Sequence, residues 1–130
     1  MTSAFDFEKL MLATLRSSSD LAEIVGNRIY YLTMPQTATL PCVTWQRVTA
    51  NTINTLMGAS GLTQLKIQVD CWSRNMGECK SIAKAIQAVM PANGPWGAHL
   101  DTDQDLYDST TKYYRIIMEF TVWFCESAVE

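Results

Sequence analysis

The sequence predicts a single α+β domain over residues 1–130, with a mainly antiparallel β-sheet and helices packed on one of its faces. Three observations carry this prediction. The chain has 130 residues, which is the size of one domain and enough to bury a core. The stretch "TQLKIQVDCWSR" alternates apolar and polar residues as a half-buried strand does. The stretch "NMGECKSIAKAIQAVM" repeats apolar residues at helical spacing and predicts the main helix.

Two further helices are predicted near the start of the chain. In "AFDFEKLMLATLRSSS" an apolar stripe runs from Phe7 to Leu15 at helical spacing. "DLAEIVG" predicts a second, very short helix, in which Asp20 and Glu23 have the spacing of a capping box. Gly26 can adopt the left-handed conformation that closes this helix. The same box pattern, Asn75 with Glu78, predicts the start of the main helix.

Two strands separated by prolines follow the short helix. "RIYYL" predicts a strand that ends before Pro35, because proline has no N–H for a β-ladder. "CVTWQRVTANTI" predicts a long strand behind Pro41, since proline is tolerated at the first strand position. We expect this hairpin-like unit to contribute two members of the sheet.

The segment Asn54–Leu62 is predicted to be a turn or flexible loop, because Gly58 and Gly61 give its backbone freedom. Leu56 and Met57 are apolar residues at its tip. Apolar residues on a loop often contact a partner, although isolated ones are normal on any surface. The hypothesis is therefore a contact loop for a neighbouring protein, formed by Leu56, Met57, Gly58, Ser60 and Gly61.

The chain ends in a long predicted strand, "TTKYYRIIMEFTVWFCE". Before it, "WGAHLDTDQDLYD" predicts a weak strand or an irregular acidic segment, Asp101–Asp108. Its spaced aspartates resemble the start of an EF-hand loop, but Leu106 and Lys112 occupy the positions of the required glycine and glutamate. We therefore favour a solvated acidic loop over a calcium site.

The face of the predicted sheet that points away from the main helix carries Trp72 and Trp123 among polar residues. Arg74 and Arg115 belong to the same two strands. Tryptophan and arginine among polar groups are typical of protein–protein contacts. The alternative is that the rings lie flat on their own sheet. Because no predicted element is left to cover this face, we favour a subunit interface.

The composition excludes several classes of function. The net charge is −3 and no basic run occurs, so nucleic-acid binding has no electrostatic support. The N-terminus lacks the pattern of a signal peptide, and no apolar stretch is long enough to span a membrane. Only 18% of residues are charged, which fits either a surface covered by another subunit or an uncharged polar surface.

The sequence offers little that could act in catalysis or hold a metal or cofactor. The four cysteines, Cys42, Cys71, Cys79 and Cys125, form no C-x-x-C pair and have apolar neighbours, so we expect buried free thiols. A nucleophile–base system would have to use His99, the one histidine, which we expect to be a surface loop residue. No Walker loop, dinucleotide fingerprint or nucleophile elbow is present.

Three stretches of the chain resemble one family. They are "L-x-x-I-V-G-N-R-I-Y" at Leu21–Tyr30, "L-P-C-V" at Leu40–Val43, and "V-D-C-W-S-R" at Val69–Arg74 followed by the main helix. In this order they are similar to the tail-completion proteins of long-tailed bacteriophages and prophages, also called tail-terminator or tail-to-head joining proteins. The resemblance covers nearly the whole chain and is weakest from Pro91 to Asp108.

The resemblance implies a non-enzymatic structural virion protein with no cofactor and no catalytic residue. It implies a homo-oligomeric ring, usually sixfold, at the head-proximal end of the tail tube, in the neck of the virion. Such a ring stops tail growth and joins the tail to the head connector. The expected partners are other copies of the chain, the major tail tube protein and the head–tail connector or adaptor proteins. No membrane and no sequence-specific nucleic acid is expected as a partner, although the genome passes through such a ring. Assembly is expected in the host cytoplasm.

Three other functions stay open from the sequence. One is a different minor component of the tail or neck of the virion. Another is a small enzyme that uses His99 with a cysteine or serine. The last is a module that binds small ligands, which no sequence feature supports.

Overall fold

The computed structural model describes residues 6–36, 39–56, 58–91 and 96–125, and the side chains of 53–55, 58–61 and 125 lie outside this description. Over these ranges three helices accompany a single five-stranded sheet with strand order β1-β2-β3-β5-β4. The elements are α1 (Phe7–Arg16), α2 (Ser19–Val25), β1 (Ile29–Tyr31), β2 (Cys42–Thr55), β3 (Gly58–Ser73), α3 (Met76–Val89), β4 (Trp96–Asp108) and β5 (Tyr113–Cys125). The predicted α+β fold class is confirmed.

The strand pairing is antiparallel except at one edge. β2 pairs with β3, β3 with β5, and β5 with β4, all antiparallel. The edge strand β1 runs parallel to β2, with Ile29 opposite Val43. The expected hairpin-like unit is therefore wrong in its direction, although both strands belong to the sheet. Because β1 and β2 run in the same direction, the connection between Tyr31 and Cys42 carries the chain back to the end of the sheet at which β1 starts.

The core lies between the helices and one face of the sheet, which we call the covered face. Alternation along β3 directs Leu65, Ile67, Val69 and Cys71 to this face, as predicted. The register of the sheet sets Phe120 beside Ile67 and Met118 beside Val69. All six side chains are 2% exposed or less. The helices complete this core through their own apolar stripes, among them Phe7, Met11 and Leu15 of α1 and Cys79, Ile82 and Ile86 of α3.

The starts of the two later helices differ from the predicted capping boxes. Ser18, and not Asp20, caps α2, because its extended backbone lets Oγ accept the N–H of Leu21 at 3.1 Å. Asn75 caps α3 as predicted, and its Oδ1 accepts the N–H of Gly77 at 2.7 Å. α2 ends at Gly26 as expected, with a positive φ of +59°, but its ψ of −124° lies outside the left-handed helical region.

Glu78 does not return to its cap residue in the way a capping box requires. Its Oε1 accepts the hydroxyl proton of Ser73 at 2.6 Å. The Oγ of Ser73 in turn accepts the N–H of Asn75 at 3.1 Å. Ser73 is fully buried at the end of β3. This relay therefore fixes the turn that carries the chain from the sheet into α3.

Two segments are more regular than expected. β2 extends to Thr55 and β3 begins at Gly58, so the predicted loop Asn54–Leu62 is mostly a β-hairpin arm. The segment Trp96–Asp108, expected to be weak or irregular, is a continuous edge strand with a register shift between Leu100 and Thr102. Pairing with a neighbouring strand supplies backbone hydrogen bonds that override the poor strand propensity of glycine and aspartate.

Candidate subunit interface

The second face of the sheet, which we call the open face, points away from all three described helices. It is built from the alternate residues of β2, β3, β5 and β4 that do not enter the core. Its central rows are Thr44, Asp70 and Ile117, then Gln46, Gln68 and Glu119, as the register of the strands shows. Among the described residues no helix packs on this face. A polar sheet face without a covering layer is a surface available to another molecule.

Trp72 and Arg115 form a cross-strand pair at one end of the open face. The guanidinium carbon of Arg115 lies 4.6 Å from the centre of the Trp72 ring, which is cation–π geometry. Nη2 of Arg115 donates to the Asp70 carboxylate at 2.7 Å. The indole N–H of Trp72 donates to Oγ1 of Thr44 at 2.9 Å. The pair is thus held in one conformation before any partner arrives.

Arg115 also carries an unsatisfied donor. Its Nε is buried and has no hydrogen-bond partner among the described residues. A buried unpaired donor is unfavourable, so such an atom is unusual in a folded protein. Arg115 and Trp72 border a cavity of about 370 Å³ that Tyr107 and Tyr113 also line. Arg74 lies at this end as well, with its guanidinium carbon 5.8 Å from the centre of the Tyr113 ring.

Trp123 lies on the open face but far from this group. It stands opposite Gln64 on β3 and Gly97 on β4, and it is 39% exposed. The eight positions between Arg115 and Trp123 correspond to about 26 Å along β5. The structure therefore brings Trp72, Arg115 and Arg74 together and sets Trp123 apart, at the other end of the same face.

A second polar cluster lies between these two ends. Nζ of Lys66 is 3.2 Å from Oδ2 of Asp101 and donates to Oγ1 of Thr121 at 3.1 Å. The hydroxyl of Thr121 donates to the same carboxylate. This bond from Thr121, with a smaller contribution from Lys66, holds the pKa of Asp101 below its usual value.

Among the described residues, the β2–β3 arm projects beyond the rest of the sheet. The last described pair between β3 and β5 is Leu62 with Cys125, whereas β2 and β3 stay paired to Thr55 and Gly58. Leu56 is fully exposed at the tip. Of the other predicted contact residues, Gly58, Ser60 and Gly61 belong to β3, and Met57 lies outside the described residues. A two-stranded ribbon without further support is marginally stable in water, which favours contact with a partner.

One surface feature was missed by the sequence analysis, a groove between α3 and β4. It has a volume of about 250 Å³, and Lys80 and Lys84 border it on the helix side. Asp103 and Asp105 border it on the strand side. The register shift between Leu100 and Thr102 turns both aspartates to the covered face, opposite Met118 and Ile116. Strict alternation from Leu100 would have placed them on the open face, so a local pattern in the sequence could not reveal this groove.

Comparison with known protein families decides the family of the chain. The family model described as "Tail completion protein gp17" matches residues 9–124. The chain belongs to the tail completion protein family. This membership supports a structural role in a phage tail and confirms the resemblance found in the sequence.

A solved structure described as the virion of a native gene transfer agent particle contains a chain similar to this tail completion protein. The match has a TM-score of 0.68 at 14% sequence identity and covers 87% of this chain and 90% of that chain. At this identity the similarity shows a shared fold. A search of curated proteins finds no match.

The described cysteines of this tail completion protein are buried free thiols, as predicted for Cys42, Cys71 and Cys79. Burial raises the pKa of Cys42 and of Cys79 to about 11, and it raises the pKa of Cys71 further. A protonated thiol is a poor nucleophile, so these three side chains act as small apolar groups of the core. The predicted burial of Cys125 concerns a side chain outside the described set.

His99 lies on β4 and not on the loop expected from the sequence. Its side chain is exposed, and it forms no hydrogen bond with a cysteine or serine of the described residues. No group of three or more histidine, cysteine, aspartate or glutamate side chains within the described ranges could hold a metal ion. None of the described helices is long and apolar enough to cross a membrane.

Proposed function

We propose that this tail completion protein forms a ring at the head-proximal end of a phage tail tube, where it ends tail growth and joins the tail to the head connector. The proposal rests on the family match, which covers residues 9–124. The structural observation that carries it is the open face, a sheet surface that none of the described helices covers and that presents tryptophan and arginine side chains. A closed ring needs such a surface on every copy.

The interface of this ring is proposed to include Trp72, Arg74, Arg115 and Trp123 of the open face. Trp72 and Arg115 are already fixed by Thr44 and Asp70, so they lose little conformational entropy when a partner binds. Tryptophan and arginine are also enriched among residues that dominate binding energy. In a ring the open face of each copy meets a different surface of the next copy, which is a heterologous contact.

The β2–β3 arm is proposed to contact the adjoining ring of the tail tube or of the head connector. The proposal rests on the fully exposed Leu56 and on the ribbon, which extends past the described part of β5. The segment 48–65 contains no charged residue. An uncharged arm with an apolar tip can enter an interface without leaving a buried charge unpaired.

The proposed partners are therefore other copies of the chain, with six as the expected number, the major tail tube protein and the connector or adaptor proteins. The proposed location is the neck of the virion, and the ring is assembled in the host cytoplasm. We propose no enzymatic activity, no cofactor and no membrane partner. The genome would pass through the ring without sequence-specific contacts, which agrees with a net charge of −3.

The test measures the mass of the purified protein by light scattering over a range of concentrations, with and without tail tubes assembled from the major tail tube protein. A closed ring, or a monomer that caps tube ends and stops their growth, supports the proposal. Indifference to tubes at every concentration contradicts it. A protein that binds along the tube but not at its end is a different minor component of the tail.

Two charge substitutions separate the proposed surfaces. Trp123→Asp is expected to leave a folded monomer that no longer forms rings, whereas Leu56→Asp is expected to leave rings that no longer cap tubes. Leu32→Asp is the matched control, because Leu32 is 57% exposed and its positive φ suits aspartate. Rings that survive Trp123→Asp intact would show that the open face is not the interface.

A further inference from the structure

The groove between α3 and β4 lies where the helical layer covers the edge strand incompletely. Phe7 of α1 contacts Trp96 at the start of β4. Further along, α3 packs mainly on β3 and β5, and the part of β4 from Leu100 to Asp105 borders the groove. The floor of the groove is apolar and is formed by Leu100, Ile116 and Met118. Ala83 contributes a small side chain to the helical wall and so keeps the groove open.

The size of the groove indicates what it can hold. Clefts for small ligands usually measure about 300–1,000 Å³. This groove measures about 250 Å³ and is open to solvent along one side, which suits one large side chain of a partner protein. Its rim carries two cations and two anions, Lys80 and Lys84 on one wall and Asp103 and Asp105 on the other. None of the four forms an ion pair with another described residue.

We propose that Trp123 of one copy inserts into the α3–β4 groove of the next copy. Trp123 lies on the open face and the groove on the covered face, so a chain cannot fill its own groove with this residue. The two features are therefore the two halves of a head-to-tail contact between copies, as a ring requires. This inference rests on the proposed ring and identifies the second surface of its interface.

The chemistry of the two surfaces is complementary. In the proposed contact the indole ring meets an apolar floor that includes Met118, and a thioether side chain packs favourably against an aromatic ring. The indole N–H needs an acceptor when it is buried, and the carboxylates of Asp103 and Asp105 are the acceptors at the rim. Lys66 and Asp101 are bonded to Thr121, two positions from Trp123 on β5, and they bring one cation and one anion to a rim that carries both signs. Each charge in the proposed contact can therefore lie near a charge of the opposite sign.

Disulfide trapping tests the contact directly. Trp123→Cys and Ala83→Cys are combined in a Cys125→Ser background, so that no native cysteine lies next to the new thiol in the sequence. Cys42, Cys71 and Cys79 are buried and their raised pKa keeps them unreactive near neutral pH. Under mild oxidation, with and without tail tubes, we expect a ladder of covalent multimers that ends at the size of the closed ring.

The matched control pairs Val48→Cys with Ala83→Cys in the same background. Val48 is 52% exposed and lies on β2, two strands away from β5 in the sheet. No ladder is expected from this pair, nor from either single cysteine of the test pair.

In the native background, Trp123→Ala is expected to weaken assembly at least about tenfold, which is the effect of losing a central interface residue. Leu32→Ala removes another exposed apolar side chain, outside both proposed surfaces, and is expected to change assembly less than about threefold.

The outcomes distinguish this contact from the ring itself. Rings that form without the covalent ladder and that tolerate Trp123→Ala overturn the groove contact and leave the proposed function standing. If no ring forms with or without tubes and the tubes are not capped, both proposals fail. A ladder of equal yield from the Val48 control pair shows random collision, and the groove contact is then overturned as well.

Discussion

Glu119 and Phe120 are neighbours on β5, and they belong to two different surfaces of the molecule. Phe120 is 1% exposed on the covered face, whereas Glu119 is exposed on the open face. Residues of the covered face meet other apolar side chains of this chain. Residues of the open face meet polar groups that are already paired across strands. The comparison indicates that the covered face contributes most of the stability of the fold, and that the open face, which we propose for assembly, contributes less.

The largest expected effect comes from truncation on the covered face. Phe120→Ala removes a buried ring beside Ile67 and leaves a cavity, so we expect a loss of about 3–5 kcal/mol in the free energy of unfolding. Glu119→Ala, one position away on the open face, is the control and is expected to change it by less than about 0.5 kcal/mol. Urea denaturation followed by circular dichroism measures both. Similar losses for the two variants would contradict the division of roles between the faces.

A smaller effect is expected where the open face is partly buried. Arg115→Met keeps the apolar volume over Trp72 but leaves the Asp70 carboxylate, whose side chain is 10% exposed, without its cation. Asp70 retains the amide of Gln68 at 3.1 Å, so we expect a loss of about 2 kcal/mol rather than the larger cost of a fully orphaned charge.

Double-mutant analysis separates this ion pair from general damage to the sheet. Asp70→Asn combined with Arg115→Met is expected to cost less than the sum of the two single variants, because the pair is lost only once. Additive costs would mean that the ion pair does not stabilise the open face. The role of Arg115 would then lie in contact with a partner alone.

The covered face could be predicted from the sequence because alternation in a strand and the stripe of a helix each select one side of an element. Leu65 through Cys71 and the α3 stripe were assigned correctly on this ground. Alternation does not determine the direction or the neighbour of a strand, so the parallel pairing of β1 was not found. The contact of Arg115 with Asp70 and Trp72 depends on the register between distant strands, which no local pattern contains.

Asn75→Ala is expected to lower the free energy of unfolding by about 1 kcal/mol, because it removes the acceptor of two backbone N–H groups at the start of α3. Asn75→Ser is the control and should lose only part of this stability, since serine also caps helices. α3 can cover the sheet only if the chain leaves β3 in the right direction, so this variant tests how the turn supports the covered face. Thermal unfolding of the three proteins at one pH measures the difference. Equal stability of all three would place the restraint in the Ser73–Glu78 bond instead.

The smallest effect is expected at the exposed pair of the open face, and it should depend on pH. The hydrogen bond from Thr121, with a smaller contribution from Lys66, holds the pKa of Asp101 below its ordinary value in the folded state. The unfolded chain then binds the proton more readily, so this carboxylate stabilises the fold above about pH 4 and loses that contribution as the pH falls through the lower folded pKa. We therefore expect Asp101→Asn to be slightly less stable than the unmodified protein at pH 7 and equally stable near pH 2. Thr121→Val removes the hydroxyl that donates to the Asp101 carboxylate, so it should raise the pKa of Asp101. NMR titration of this carboxylate measures the change. A stability difference that stays constant from pH 7 to pH 2 would show that the pKa of Asp101 is the same in the folded and the unfolded chain. The effect of the substitution would then not come from the charge of Asp101.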